Sequence, residues 1–109
     1  YEALLGVDFK LTKSEQILYG ESIPTHAMVF VGVDIVDKQA RQWRVENSWG
    51  TERGNEGYWL MDDAWFDQYL YGVILPKKYL DKRTAQALQV KPIVLPPWDA
   101  MYRMIRGPE

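Results

Sequence analysis

Positions 26–36 form an almost continuous run of apolar and β-branched residues. A run of that length, rich in Val and Ile, predicts a strand rather than a helix, and its lack of alternation predicts burial on both faces. Polar residues at 37–40 predict a turn. Beyond it Trp43, Val45 and Asn47 alternate with Gln42, Arg44 and Glu46, the period-two pattern of a second strand. The two segments together predict an antiparallel hairpin. Upstream, Leu11, Ile17 and Leu18 among charged neighbours predict a short helix over 11–19, capped by Thr12 or Ser14 and ended by Gly20. Downstream, two glycines and alternating charge at 51–57 predict an exposed loop, and 58–61 a short strand. Residues 62–69 predict a helix capped by Asp62 or Asp63, with Ala64, Trp65 and Tyr69 turned partly inward. A further strand is predicted over 72–75, ended by Pro76, and a helix over 81–88, stopped before Pro92. No internal repeat or low-complexity stretch interrupts this order, which predicts an α+β fold: a twisted antiparallel sheet with short helices around it.

Strand parity decides which side chains meet. Counting by twos, His26 shares a face with Met28 and Phe30, and Asn47 shares one with Trp43 and Val45. If the hairpin closes at 37–40, the start of the first strand lies opposite the end of the second, and His26 and Asn47 become neighbours. The Asn47 carbonyl can then accept the imidazole N–H, fix its tautomer and stabilise the charged ring beside a thiolate. A cysteine nucleophile needs that arrangement, because it requires an imidazole as ion-pair partner and proton carrier, held in one orientation by a side-chain amide. The chain has one histidine and no cysteine, so it carries neither the nucleophile nor any disulfide. Taken singly, a histidine at a strand start is commonly a polar end group, Asn47-Ser48 a turn signal, and Trp49 beside Gly50 loop packing. Their combination, in this order and spacing, points to catalysis. Met28 and Phe30 read as core, Arg44 and Glu46 as a solvated or domain-facing side, and Asp62-Asp63 as a cap rather than paired catalytic carboxylates.

Composition narrows the alternatives. With 109 residues, 47% hydrophobic and 14% aromatic, the chain can form one small domain with a marginal core. Five Trp and seven Tyr fit either a packed aromatic core or side chains that cover surface belonging to another part of a larger protein. A net charge of −2 provides no basic field for nucleic acid, and no stretch approaches the roughly 20 apolar residues that span a bilayer. No metal-ligand cluster stands out, and no cofactor is implied.

Gly20-Glu21-Ser22, Thr25-His26-Ala27-Met28, Trp43-Arg44-Val45-Glu46-Asn47-Ser48-Trp49-Gly50, Gly57-Tyr58, Trp65-Phe66 and Leu95-Pro96-Pro97-Trp98-Asp99 resemble the C-terminal end of the bleomycin hydrolase and bacterial aminopeptidase C family of papain-like cysteine peptidases. Asn-Ser-Trp-Gly alone indicates only the papain-like superfamily; the flanking segments are specific to this branch. The resemblance implies a C-terminal fragment: residues 1–98 as the antiparallel, β-rich, near-barrel half that supplies the histidine and asparagine, and residues 99–109 as a C-terminal tail. It implies that the cysteine and the oxyanion glutamine lie upstream, on an N-terminal part of the same protein. His26 would be the general acid and base, Asn47 its orienting partner, and Trp49 the indole that shields their hydrogen bond. The complete protein would trim N-terminal residues from peptide substrates, work in the cytoplasm and assemble as a homo-hexamer. In this family the terminal carboxylate, here Glu109, enters the cleft and meets the substrate's free amino group. The tail departs from the pattern, being longer than expected after Trp98 and carrying Arg103 and Arg106. It is trimmed, follows another path, or alters the exopeptidase restriction. The competing reading is a non-catalytic papain-like module that binds peptides or packs against another chain.

Overall fold

Strands β1 (Val29–Val36) and β2 (Gln39–Glu46) are joined by a tight turn at Asp37 and Lys38, both with positive φ. Such mirror-image turns twist in the same sense as the strands they connect. In the computed structural model, which describes residues 2–8 and 10–106, the ladder runs from Val29↔Glu46 to Val36↔Gln39, with irregularities between Phe30 and Gly32 and between Asp34 and Ile35. Strand β3 (Tyr58–Asp62) pairs antiparallel with β2, placing Trp59 opposite Val45 and Met61 opposite Trp43. The sheet has three strands in the order β1-β2-β3. It is open and does not close toward a barrel, which corrects the near-barrel expectation.

One face of this sheet holds the core. Trp43, Val45, Trp59 and Met61 lie on it, and Val45 and Met61 are the buried apolar side chains among the described residues. Helix α3 (Asp63–Tyr69) follows β3 directly and packs on this face. Phe66 stacks on Trp43 with ring centroids 4.5 Å apart, and Phe30 meets both edge-on. Offset-stacked and edge-to-face pairs of this kind contribute about 0.5–1.5 kcal/mol each beyond their burial. The Trp43 indole also donates to the Asp63 carboxylate at 2.8 Å.

Several expectations are corrected by this packing. The side chain of α3 that joins the aromatic cluster is Phe66; Ala64 is exposed, while Trp65 and Tyr69 are partly covered and Trp65 borders a hollow with Val45 and Met61. Asp62 stands at the N-cap but its carboxylate accepts from the Gln42 side chain across the ladder, so it caps nothing. Strand β1 is not buried on both faces: it is a sheet edge, and Val29, Val31, Val33, Ile35 and Val36 stay exposed. It begins at Val29, opposite Glu46, so residues 26–28 lie outside the ladder, while on the other side of β2 the Asn47 amide donates to the Gly57 carbonyl at 3.1 Å and extends the pairing with β3. Residues 72–75 form no regular secondary structure and do not pair into the sheet, and Ile74 is fully exposed.

Helix α1 (Glu2–Leu5) precedes helix α2 (Lys13–Tyr19), which opens on Thr12 with a full capping box and closes at Gly20 in the left-handed conformation. The Thr12 hydroxyl accepts from the Glu15 amide while the Glu15 carboxylate accepts from the Thr12 amide at 2.8 Å. The Lys13 ammonium donates to the carbonyls of Asp67 and Leu70, and Gln68 donates to the Leu11 carbonyl, so α2 is tied to the end of α3. A single 3-10 turn at Lys77–Tyr79 leads to helix α4 (Lys82–Ala87), capped by Asp81. Helix α5 (Ala100–Arg106) lies against α2. The tail is therefore helical up to Arg106. Glu109 lies outside the described residues.

The capping box yields a pH-dependent prediction. Hydrogen bonds from the side chain and then the backbone of Thr12 hold the Glu15 carboxyl below the ordinary glutamate value. A carboxyl depressed in the folded state contributes stability above its unfolded pKa, and that stability is lost as pH falls through the folded value. Thr12→Ala should lower stability near neutrality and reduce the acid sensitivity of unfolding. Urea denaturation of both proteins across the acidic range checks this; curves whose separation does not change with pH would contradict it.

Candidate functional site

His26 lies just before β1 and Asn47 just after β2, so the closed hairpin brings them to the same end of the sheet. The imidazole Nε2 and the Asn47 Oδ1 are 2.8 Å apart. A second contact settles which of the two carries the proton. The Ser48 backbone N–H also approaches Asn47 Oδ1 at 2.8 Å, and because a peptide N–H only donates, the shared atom must be the amide oxygen. The oxygen in turn only accepts, so Nε2 carries the hydrogen and the neutral ring presents Nδ1 as its basic nitrogen. The amide thus fixes both the tautomer and the direction of the free lone pair.

The backbone holds Asn47 from both sides. Its own N–H donates to Gly57, and Gly57 N–H donates to the Arg53 carbonyl at 3.0 Å. Asn55 and Tyr58 exchange a pair of backbone hydrogen bonds at 2.9 and 3.0 Å, so the 50–57 loop is pinned to the start of β3. The anchoring amide is thus part of a hydrogen-bonded framework.

Trp49 stacks on the His26 ring, with centroids 5.2 Å apart and planes inclined by 29°. Its other neighbours are Trp59, which meets it edge-on at 6.3 Å, and the Arg53 guanidinium, 5.9 Å from its ring centre. The indole covers one side of the imidazole and remains 52% exposed itself. Beneath the pair, Met28, Val45 and Met61 floor a shallow hollow of about 380 Å³ that opens beside His26. His26 is exposed and Asn47 half-buried.

The three residues singled out in the sequence, His26, Asn47 and Trp49, are therefore brought together. Three supporting groups were not anticipated there. The Ser48 amide and the Gly57 carbonyl are backbone groups with no side-chain signature. Trp59 had a usable signal, because strand parity places it on the Val45 and Asn47 face. Among the described residues no group of three or more acidic or histidine side chains could hold a metal ion, and no helix is long and apolar enough to cross a membrane.

The model of the Peptidase C1-like family matches residues 1–102. Bleomycin hydrolase of Gallus gallus is 45% identical over 105 residues, covering 93% of this chain and 23% of that protein. Aminopeptidase C of Listeria innocua is 46% identical over 96 residues, covering 88% and 22% respectively. The crystal structure of PepW from Lactobacillus rhamnosis HN001 is similar with a TM-score of 0.74 and 48% identity, over 91% of this chain and 23% of that one. The chain thus spans less than a quarter of the length of each of these relatives.

Proposed function

Because the chain belongs to the Peptidase C1-like family, we propose that it supplies the catalytic histidine and asparagine of a cysteine aminopeptidase whose thiol and oxyanion glutamine come from upstream sequence. The observation that carries this reading is the hydrogen bond between His26 Nε2 and Asn47 Oδ1, with the oxygen identified by the Ser48 amide. It leaves Nδ1 free to work on a thiol.

In this reading His26 Nδ1 takes the thiol proton and the resulting imidazolium pairs with the thiolate. The sulfur attacks the scissile carbonyl, the C–N bond breaks, and His26 returns the proton to the departing amine. A water then attacks the thioester with His26 as base, releasing the acid and restoring the thiol. Asn47 keeps the ring aimed throughout by accepting from Nε2, and Trp49 limits water on that hydrogen bond. Expected losses on Trp49→Ala lie between those of a framework residue and those of His26.

The test is reconstitution. Alone, the chain should hydrolyse no peptide, since it has no sulfur on which a thioester can form. Mixed with the cysteine-bearing remainder of the enzyme, it should restore release of N-terminal residues. Turnover by the purified chain alone would refute the assignment. Association without turnover would favour a module that binds peptides or a partner chain.

The tail provides a second test. If the carboxylate of Glu109 anchors the substrate's amino group, removing residues 102–109 from the complete enzyme should weaken cleavage of peptides with free N-termini and admit N-acetylated ones. A charge-assisted hydrogen bond of about 1.5–3 kcal/mol corresponds to a shift of roughly tenfold or more in the ratio of the two. An unchanged ratio would place the tail outside the cleft, consistent with the helical path of α5 beside α2.

A further inference from the structure

We propose that Arg53 is a specificity-determining residue that receives a carboxylate on the leaving side of the scissile bond, so that the enzyme favours short or acidic peptides. The inference rests on the assignment of His26 as the acid that protonates the leaving amine.

The position of the leaving group follows from the ring. With Nε2 committed to Asn47, the departing amine must approach Nδ1, and the same imidazole is stacked on Trp49. The first residues of the leaving peptide therefore run alongside the Trp49 indole. The Arg53 guanidinium sits over that indole, 5.9 Å from its centre. An extended residue advances the chain by about 3.3–3.6 Å, so a carboxylate on the first or second leaving residue comes within reach of the guanidinium.

Arg53 is built for this in three respects. Its side chain makes no ion pair or hydrogen bond with another described residue, so its donors remain available to a ligand. Its backbone is held by the Gly57 amide, within the loop that also anchors Asn47. Its planar fork matches a carboxylate in two-point geometry, which lysine does not reproduce, and the guanidinium lies 5.9 Å from the indole centre. Arg44, whose guanidinium lies 4.0 Å from the Tyr58 ring centre, is on the opposite face of the sheet and cannot substitute.

Two sources present the same chemistry: the α-carboxylate of a dipeptide or tripeptide, and an Asp or Glu side chain in a longer one. The experiment measures kcat/KM of the complete enzyme on leucyl-alanine, leucyl-alanine amide and leucyl-aspartic acid α-amide. The wild type should favour a carboxylate-bearing substrate over leucyl-alanine amide by about two- to fivefold, chiefly through KM, as befits an exposed charge pair. Preference for the dipeptide alone identifies the α-carboxylate, and preference extending to the aspartyl amide identifies the side chain. Arg53→Gln should level the ratio, Arg53→Lys should retain part of it, and Arg53→Glu should invert it. A ratio that survives both Arg53→Gln and Arg53→Glu overturns the proposal and leaves the catalytic reading intact. No cleavage of any of the three by the wild type would instead sink the catalytic reading itself.

Discussion

Replacing His26 by alanine in the complete enzyme is expected to lower kcat by roughly 10²–10⁴-fold, the range that general acid–base groups contribute. In the proposed mechanism the imidazole does three things in one turnover: it ionises the thiol, protonates the leaving amine and activates water. Asn47→Ala should cost less, because the ring retains its stacking on Trp49 and loses only the hydrogen bond that fixes its tautomer. It also strips the Ser48 amide of its acceptor, so part of its effect should appear as reduced stability. Steady-state kinetics on both variants, alongside their melting temperatures, separates the two contributions. Small and equal kinetic losses would make both residues framework, and the chain a binding module.

Gly54→Ala is expected to be the most damaging substitution outside the proposed catalytic pair. Gly54 has a φ of +67°, and a methyl group there would lie 2.6 Å from the Tyr58 carbonyl oxygen and 2.8 Å from the Trp59 indole. The carbonyl belongs to the backbone bridge between Asn55 and Tyr58 and cannot yield without breaking it. Left-handed strain and the clash together should destabilise the fold by about 2 kcal/mol or more. The damage should reach the site as well. The 50–57 loop supplies the Gly57 carbonyl that holds the Asn47 amide, and Trp59 supports Trp49 edge-on. A lowered melting temperature with a fall in kcat, but little change in KM, is the expected pattern. Wild-type stability would show that the loop can rearrange around a side chain.

What was legible in the sequence was local and periodic. The hairpin followed from the apolar run and the alternation about Trp43 and Val45, and the turn at Asp37 and Lys38 falls inside the predicted polar segment. The Thr12 cap and Gly20 stop of α2 were equally direct, since capping depends on neighbours a few residues away. The meeting of His26 and Asn47 followed from hairpin closure, because the two ends of a hairpin must be adjacent.

The errors arose where a side chain's environment is set by distant segments. An uninterrupted apolar run cannot distinguish a central strand from an edge strand, and Val31 and Ile35 sit on an edge. The inward face of α3 was only partly legible, because Phe66 is selected by Trp43 and Phe30, which are far away in sequence. Residues 72–75 have strand-like composition but do not pair with the sheet, so propensity had nothing to act on. Within the site, the proton position on His26 was fixed by the Ser48 backbone, which no residue pattern reveals.

The central claim is that His26, aimed by Asn47, ionises a cysteine thiol, and the most direct measurement is the rate at which that thiol is alkylated by iodoacetamide at about pH 6, where an unassisted cysteine is almost wholly protonated. It needs no substrate and bypasses questions of specificity. In the complete enzyme the cysteine should react rapidly at this pH. In the His26→Ala variant its rate should fall by roughly tenfold or more, toward that of a free thiol, and Asn47→Ala should lie between. An alkylation rate unaffected by His26→Ala would show that this histidine does not pair with the nucleophile, and the account would fail.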